Sequence, residues 1–242
     1  MRFLLLLLLR LKKLRVILFK PMLSRAFIKY FVMAGVEHKA VLNKTLSMVI
    51  DIGANRGQFA LAAREFSGAK VISFEPLPEA AEVFVNVFST DGAVKLHVAA
   101  IGDKSERALI HLSARDDSSS LLEIGDAQSN YFPGTHEVGT REIRVGTLDE
   151  FVSAEEIIRP AMLKLDVQGF EMQALAGCKS LICNFDYVYC ECSFVELYKD
   201  QKLAGDVIDY LRTLGFNLAG IYNPSYDHDG NCIQADLLFN QI

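Results

Sequence analysis

The sequence contains few cysteines and no pairing pattern among them. Its 242 residues include five, an odd number, at Cys178, Cys183, Cys190, Cys192 and Cys232. No two of them form a C-x-x-C motif, so their spacing argues against a disulfide framework and against a zinc site. We therefore expect a protein without a bound metal that resides in a reducing cytoplasm.

An excess of positive charge is also missing. Lysine and arginine number 25 against 30 aspartates and glutamates, which gives a net charge of −5 and a pI near 5.6. Because nucleic-acid-binding domains are usually basic, we expect no nucleic-acid partner. The chain is 51% hydrophobic, so it can bury a sizeable core, and its length fits one catalytic domain with a small extension.

No hydrophobic run is long enough to span a bilayer. The apolar residues 3–9 fall short of the roughly 20 that a transmembrane helix needs, and no small-residue cleavage site follows them. Five cations follow this run by residue 20, and the first acid is Glu37. We expect residues 1–20 to lie on the inner face of the membrane as a basic amphipathic segment. The alternatives are a helix that packs on the catalytic domain or on a partner chain, and a cleaved or wrongly assigned start.

The rest of the extension is expected to be helical. Pro21 should end the first segment, and residues 24–46 have the spacing of further helix. His38 falls in this stretch, where a partly buried core position is the simpler interpretation than a ligand-binding one.

The chain is organised around residues 48–57, M-V-I-D-I-G-A-N-R-G. The apolar run predicts a buried central strand that stops at Asp51 and turns tightly into a helix. Gly53 and Gly57 lack a Cβ, so the backbone can adopt positive φ there or let a ligand approach, with Asn55 between them. The start of the next helix would present free N–H groups. This arrangement predicts a nucleotide-like ligand.

A second apolar strand, residues 71–74, is followed directly by Glu75. In open α/β sheets an acid at the end of this strand accepts hydrogen bonds from ribose hydroxyls. Asn55 stands where the dinucleotide fingerprint G-x-G-x-x-G has a glycine, so the pattern suits a ligand without phosphates. S-adenosylmethionine is such a ligand, and the Asp51 carboxylate could help to hold its amino group directly or through water.

Four motifs together resemble the FkbM family of S-adenosylmethionine-dependent methyltransferases: V-I-D-I-G-A-N-R-G-Q-F, S-F-E-P-L, K-L-D-V-Q-G-F-E and E-C-S-F-V-E-L-Y. The resemblance runs from about residue 48 to the carboxyl end. It implies an α/β, Rossmann-like class I methyltransferase fold with a seven-stranded, mostly parallel sheet and an antiparallel last strand. It also implies O-methylation of a hydroxyl on a sugar, polysaccharide or related natural product. Residues 1–45 are then a helical extension and residues 46–242 the methyltransferase domain.

The third strand, residues 94–101, and the loop that follows supply further candidates. Asp103 would lie near the adenine of the cofactor, where it could bond the amino group or simply occupy a surface turn. In the irregular residues 113–139, Ser119 belongs to a serine-rich stretch that resembles one in the family. His136 is the only histidine in this loop, which is expected to cap the site or to be a solvated lid. Short strands at residues 107–112 and 141–145 flank it.

Asp166 ends a fourth apolar strand and precedes Gly169. The class I fold brings this strand beside the first, so Asp166 should face the same edge of the sheet as Asp51. Many relatives have a glutamate where this chain has Gln168. Methyl transfer to a hydroxyl needs a base, and Asp166 is our first candidate and His136 the second. A nicotinamide oxidoreductase, a metal-dependent methyltransferase and a non-catalytic module are the alternatives.

Overall fold

The computed structural model describes residues 16–242 and is built on a seven-stranded sheet. The strand order is β3-β2-β1-β7-β8-β10-β9, in which β1, β2, β3, β7 and β8 are parallel and β10 runs antiparallel to both of its neighbours. The fold predicted from the sequence is confirmed. The strands of this sheet are β1 Met48–Ile52, β2 Lys70–Phe74, β3 Val94–His97, β7 Ala161–Leu165, β8 Tyr187–Ser193, β9 Phe216–Tyr226 and β10 Cys232–Gln241.

Helices cover both faces of this sheet. Every residue of β1 and β7 is buried, as expected of central parallel strands that are packed on both sides. One face packs on α6 and α7 through Ile50, Leu163 and their neighbours, and the other packs on α1 to α4 through Val49 and Met162. The helices are α1 Pro21–Tyr30, α2 Lys39–Leu42, α3 Gln58–Phe66, α4 Pro78–Phe88, α5 Asp126–Tyr131, α6 Glu171–Gly177 and α7 Ala204–Thr213.

A second sheet replaces part of the predicted third strand. Residues 94–101 were expected to form one strand, but a turn in which the Ala99 N–H donates to the His97 carbonyl divides them. The second half, β4 Ala100–Ile101, leaves the main sheet and pairs with β6 Glu137–Gly146, which also pairs with β5 Glu106–Ser113. The two flanking strands predicted from the sequence are therefore the longer strands of a separate three-stranded sheet.

The amino-terminal extension differs from the single helix expected over residues 24–46. Pro21 is the first residue of α1. This position suits proline because an N–H at the start of a helix has no acceptor within the helix, so its absence costs nothing. Phe31, with φ of 57°, ends the helix, and a 3-10 turn, Val36–His38, precedes α2. Residues 16–45 pack on the main sheet through Ile17, Leu23 and others, whereas residues 1–15 of the predicted membrane segment lie outside the described residues.

Within the described part of the chain, no helix combines the length and the apolar composition needed to cross a membrane.

Candidate active site

A cavity of about 610 Å³ opens at the carboxyl ends of β1, β2 and β7. It lies where the strand order reverses between β1 and β7, which is the usual ligand position in open α/β sheets, and its volume suits a small organic ligand. Its wall includes the turns after β1 and β2, the end of β7, the segment between α1 and α2, strand β4, and residues of the loop after β5.

The turn after β1 forms one wall of the cavity. Gly53 has a φ of 79°, and a Cβ there would lie 1.9 Å from the carbonyl oxygen of Asp166, so only glycine fits. Asn55 also has a left-handed backbone, with φ of 47°, a conformation that asparagine tolerates. Gly57 lies outside the cavity wall. A Cβ there would meet the rings of Phe84 and Phe88. Its role is therefore in the packing of the turn and not in direct contact with a ligand.

Glu75 is held in the cavity wall by two backbone N–H groups. Asn55 N donates to Oε2 at 2.9 Å and Leu77 N donates to Oε1 at 2.8 Å. Only 6% of the residue is exposed, and burial raises the pKa of this carboxyl to about 7, although the two hydrogen bonds oppose the shift. The carboxyl group is thus fixed in orientation at the position predicted for a ribose-binding acid.

Asp51 lies behind the cavity wall and not in it. The side chain is fully buried, and its Oδ1 is 3.0 Å from Nζ of Lys164, which lines the cavity. Lys164 Nζ also donates to the Gly53 carbonyl at 3.0 Å. Burial opposes the charge on Lys164, but the neighbouring carboxylates of Asp51 and Asp166 outweigh it and raise the lysine pKa. In this structure Asp51, which was predicted to hold the ligand's amino group directly or through water, instead forms a buried ion pair that holds Lys164 in place.

Asp166 lines the cavity and is partly exposed, with 37% of its side chain accessible. Its Oδ1 accepts a hydrogen bond from Gln168 Nε2 at 2.6 Å, and its Oδ2 is 3.7 Å from Lys164 Nζ. The same Gln168 amide donates to Glu191 at 3.0 Å, and its Oε1 accepts from Tyr198 at 2.8 Å. A glutamate at position 168 would place a third acid between two others. Glutamine instead bridges Asp166 and Glu191.

The long loop contributes Ser119 but not His136. Ser119 lines the cavity, and its Oγ accepts a hydrogen bond from Ser113 N at 3.1 Å. His136 is exposed and lies outside the wall, where its carbonyl accepts from Ala114 N beside β6. Asp103 is likewise exposed and outside the wall, because β4 leads the chain into the second sheet. Of the two roles considered for Asp103, the structure favours the surface turn, and it removes His136 from the candidate bases.

His38, expected as a core residue, lines the cavity. It is partly buried, and its Nδ1 is 3.0 Å from the Tyr189 hydroxyl. No sequence motif marks it, because it comes from a short turn between α1 and α2 and meets β8 only in the folded chain. Its proximity to the cavity is the main feature of the site that the sequence did not indicate.

The residues of the wall fit S-adenosylmethionine. Leu77 and Ile101 offer apolar surface in the same wall as Glu75. The buried Gln58 Oε1 accepts no hydrogen bond from residues 16–242, so this oxygen suits a ligand with donor groups. Acids outnumber basic side chains in this wall, which favours a cationic ligand over a polyphosphate. The acids are Glu37, Glu75, Asp116, Asp117 and Asp166, and the basic residues are Arg115 and Lys164.

Among residues 16–242, no three histidine, cysteine, aspartate or glutamate side chains come close enough together to form a metal site.

A curated protein, a solved structure and a family model are similar to this chain. The curated 2-O-methyltransferase NoeI of Sinorhizobium fredii (strain NBRC 101917 / NGR234) is 28% identical over 184 residues, which cover 71% of this chain and 74% of that protein. The solved structure of Streptococcus pneumoniae Sp1610, a candidate tRNA (m1A22) methyltransferase in complex with S-adenosyl-L-methionine, matches with a TM-score of 0.50. At 10% identity, over 86% of this chain and 72% of that chain, the likeness concerns the fold alone. The family model described as the methyltransferase FkbM domain matches residues 51–218, so the chain belongs to the FkbM family and is an S-adenosylmethionine-dependent methyltransferase.

Proposed function

We propose that this enzyme methylates a hydroxyl group of a sugar, polysaccharide or related natural product. The observation that carries the proposal is the pair formed by His38 and the partly exposed Asp166, which line the same cavity as the turn after β1. Both side chains can accept a hydrogen bond from an acceptor hydroxyl. The similarity to a protein named as a 2-O-methyltransferase supports an oxygen acceptor.

We assign the turns after β1 and β2 to the cofactor. S-adenosylmethionine supplies an activated methyl group on a sulfonium centre, which needs no further activation by the protein. Glu75 accepts hydrogen bonds from the ribose hydroxyls, and the backbone of Gly53 and Asn55 allows close approach. Ser119, which lines the same cavity, offers its hydroxyl. The remaining task of the chain is to orient the acceptor oxygen and to remove its proton.

Nucleic acid is not the acceptor in this proposal, although the fold is shared with a candidate tRNA methyltransferase. The net charge of −5 and the acidic wall of the cavity would repel a phosphate backbone. A sugar hydroxyl carries no charge and meets no such repulsion.

A tritiated-methyl transfer assay tests the proposal. The purified enzyme is offered labelled S-adenosylmethionine with monosaccharides, oligosaccharides, polysaccharide, lipid-linked glycans or tRNA, each with and without chelator. We expect label on a saccharide hydroxyl and none on tRNA, with no loss of activity in chelator. Gly53→Val is the negative control, because the added side chain would fill the turn. Label on tRNA alone, or on no saccharide, would refute the proposal.

We further propose that the enzyme is cytoplasmic and attaches peripherally to the inner membrane face. In residues 16–33, Phe19 and Phe31 are 78% and 82% exposed, and Lys20 and Lys29 lie beside them in sequence. These exposed aromatic and basic residues follow, in sequence, the cationic residues of segment 1–15. An anionic lipid surface provides a complementary charge.

A further inference from the structure

A chain of hydrogen bonds leads from His38 away from the cavity into the protein. His38 Nδ1 lies 3.0 Å from the Tyr189 hydroxyl, and this hydroxyl donates to Asp236 Oδ2 at 2.9 Å. Asn223 Nδ2 donates to the same carboxylate oxygen at 2.8 Å. The three partners of His38 come from β8, β9 and β10, so the sheet itself fixes their positions.

The direction of these bonds determines which nitrogen of His38 carries the proton. The Tyr189 hydroxyl has one hydrogen, and it points to Asp236 Oδ2, which accepts from Asn223 as well. With Asp236 ionised, the hydroxyl oxygen, which also has the Asn223 amide 3.3 Å away, is the acceptor toward His38, so Nδ1 is the donor. Asn223 Nδ2 is 3.4 Å from Nδ1, too long to compete with this contact. Nε2 is left with a free lone pair.

Gly35 lies beside the edge of the ring that carries Nε2. Within residues 16–242, no hydrogen bond reaches Nε2, and the ring lines the cavity. A Cβ on Gly35 would lie 2.7 Å from Cδ2 and 3.3 Å from Nε2, so any larger residue would press on this edge. Edge-to-face contacts with Phe59 and Tyr189, at centroid distances of 5.0 and 5.6 Å, hold the ring plane.

The surroundings keep His38 neutral and ready to accept a proton. Burial lowers its pKa, although Asp236, Glu37 and Asp166 act in the opposite direction, and Lys164 adds to the lowering. Once a proton arrives at Nε2, Asp236 Oδ2 at 3.6 Å from Nδ1 stabilises the resulting cation. The side chain is therefore unprotonated at neutral pH, and a proton transferred to it from an acceptor would share its charge with a buried carboxylate.

We propose that His38 is the catalytic base that takes the proton from the acceptor hydroxyl, and that Tyr189 and Asp236 are its positioning residues. The inference rests on the proposed O-methylation. As the acceptor oxygen bonds to the methyl carbon, its O–H bond breaks, the electron pair stays on oxygen and the proton goes to Nε2. The carbon–sulfur bond breaks with its electron pair on sulfur, which neutralises the sulfonium charge.

Asp166, the base predicted from the sequence, is less suited to this step. One of its oxygens holds the Gln168 amide at 2.6 Å, and the other faces the Lys164 ammonium at 3.7 Å. Both contacts would have to adjust when the carboxylate accepted a proton. Its geometry suits a residue that orients the acceptor hydroxyl toward His38.

Nuclear magnetic resonance tests the tautomer without any acceptor. Long-range ¹⁵N–¹H correlation spectra of the full chain at pH 7.5, with and without S-adenosylhomocysteine, should show His38 with a protonated Nδ1 and an unprotonated Nε2. The His38→Asn spectrum assigns the signal, and His228→Gln, which alters a histidine side chain that is 87% exposed, is the matched control. Tyr189→Phe should mix the two tautomers. A protonated Nε2 in the parent would overturn the proposal.

Kinetics on the saccharide labelled in the transfer assay test the proton transfer itself. We expect His38→Asn to lower kcat by about 10²-fold or more, to leave the Kd for S-adenosylmethionine within about twofold, and to remove the acidic limb of the pH–rate profile. Added imidazole should restore part of the activity of His38→Gly. Tyr189→Phe and Asp236→Asn should lower kcat by smaller factors and shift the acidic limb of the pH–rate profile to a different pH.

Two results would overturn the assignment: His38→Asn retaining most of its kcat, or Asp166→Asn alone removing the acidic limb. If no saccharide is labelled, the proposed function fails. The tautomer spectrum still decides whether the hydrogen-bond chain is arranged as described, so the two failures are distinguishable.

Discussion

The two halves of the cavity are built in different ways. The side that we assign to the cofactor, here called the cofactor half, comes from one stretch of chain, in which the Asn55 backbone N–H donates to the Glu75 carboxylate and joins the turns after β1 and β2. The side that we assign to the acceptor, here called the acceptor half, is assembled from side chains that are far apart in sequence. His38 and Lys164 line it, and Tyr189 contacts His38. A site made from backbone turns leaves a short motif in the sequence, whereas a side-chain network leaves scattered residues that only packing connects.

Removing Lys164 should give the largest effect and tests whether the acceptor half depends on a buried ion pair. Lys164→Met leaves Asp51 buried without its counter-charge, so we expect a loss of about 3–5 kcal/mol in the free energy of unfolding. Urea denaturation measures it. Adding Asp51→Leu should recover much of the loss, because both charges are then absent.

Lys199→Met is the matched control for this experiment. Lys199 pairs with Glu123 at 3.0 Å, but its side chain is 64% exposed, so we expect a change of at most about 1 kcal/mol. Equal losses in the free energy of unfolding for the two lysine variants would show that the buried pair between Lys164 and Asp51 stabilises the fold no more than an exposed pair does.

The pH dependence of stability should reveal the buried carboxyl of the cofactor half. Because the folded-state pKa of Glu75 is raised from 4.5 to about 7, the native state keeps its proton between these values while the unfolded state releases it. This group therefore lowers the stability of the ligand-free enzyme as pH rises through that window, by up to about 3 kcal/mol. Glu171, with a pKa also raised to about 7 by burial, adds a similar contribution.

Urea denaturation of the parent and of Glu75→Gln at pH 5 and pH 7.5 isolates the contribution of Glu75. The variant keeps an acceptor oxygen but does not titrate, so its stability should fall less between the two pH values. Parallel behaviour of the two proteins would contradict the raised pKa.

Substitution of Glu75 should weaken cofactor binding by about 1.5–3 kcal/mol, the scale of hydrogen bonds to a charged group. Calorimetry on Glu75→Ala with S-adenosylmethionine and S-adenosylhomocysteine measures this loss. We expect the parent to bind both ligands but neither NAD nor ATP. Tight NAD binding would count against the cofactor assignment, and an unchanged affinity in the variant would remove Glu75 from the ribose role.

Membrane attachment should give the smallest effect for each residue. A cation near an anionic surface contributes about 1 kcal/mol, and salt screens it. Replacing Arg10, Lys12, Lys13 and Arg15 by glutamine should therefore reduce cosedimentation with phosphatidylserine vesicles, and added salt should reduce it for the parent. Neutral phosphatidylcholine vesicles are the control. Binding that responds to neither change would refute the attachment.

The sequence predicted the cofactor half well. The apolar runs before Asp51 and Glu75 gave the two strands, and the glycine at position 53 gave the turn that its φ of 79° requires. The prediction of a single strand over residues 94–101 was wrong, because the chain passes from the main sheet to the second sheet at residues 98–99. Which sheet the second half joins depends on which neighbouring strand has unpaired backbone N–H and C=O groups. The same redirection carries Asp103 to the surface.

By itself, the sequence determined the family, the order of the central strands and helices, and the buried acid that follows β2, because each follows from local periodicity or a contiguous motif. The tertiary structure decided which polar groups face the cavity. Asp51 and Lys164 lie side by side on paired strands, so the lysine covers the acid. His38 reaches the cavity because the turn before α2 packs against Tyr189. Such placements depend on contacts between distant segments, and no local pattern encodes them.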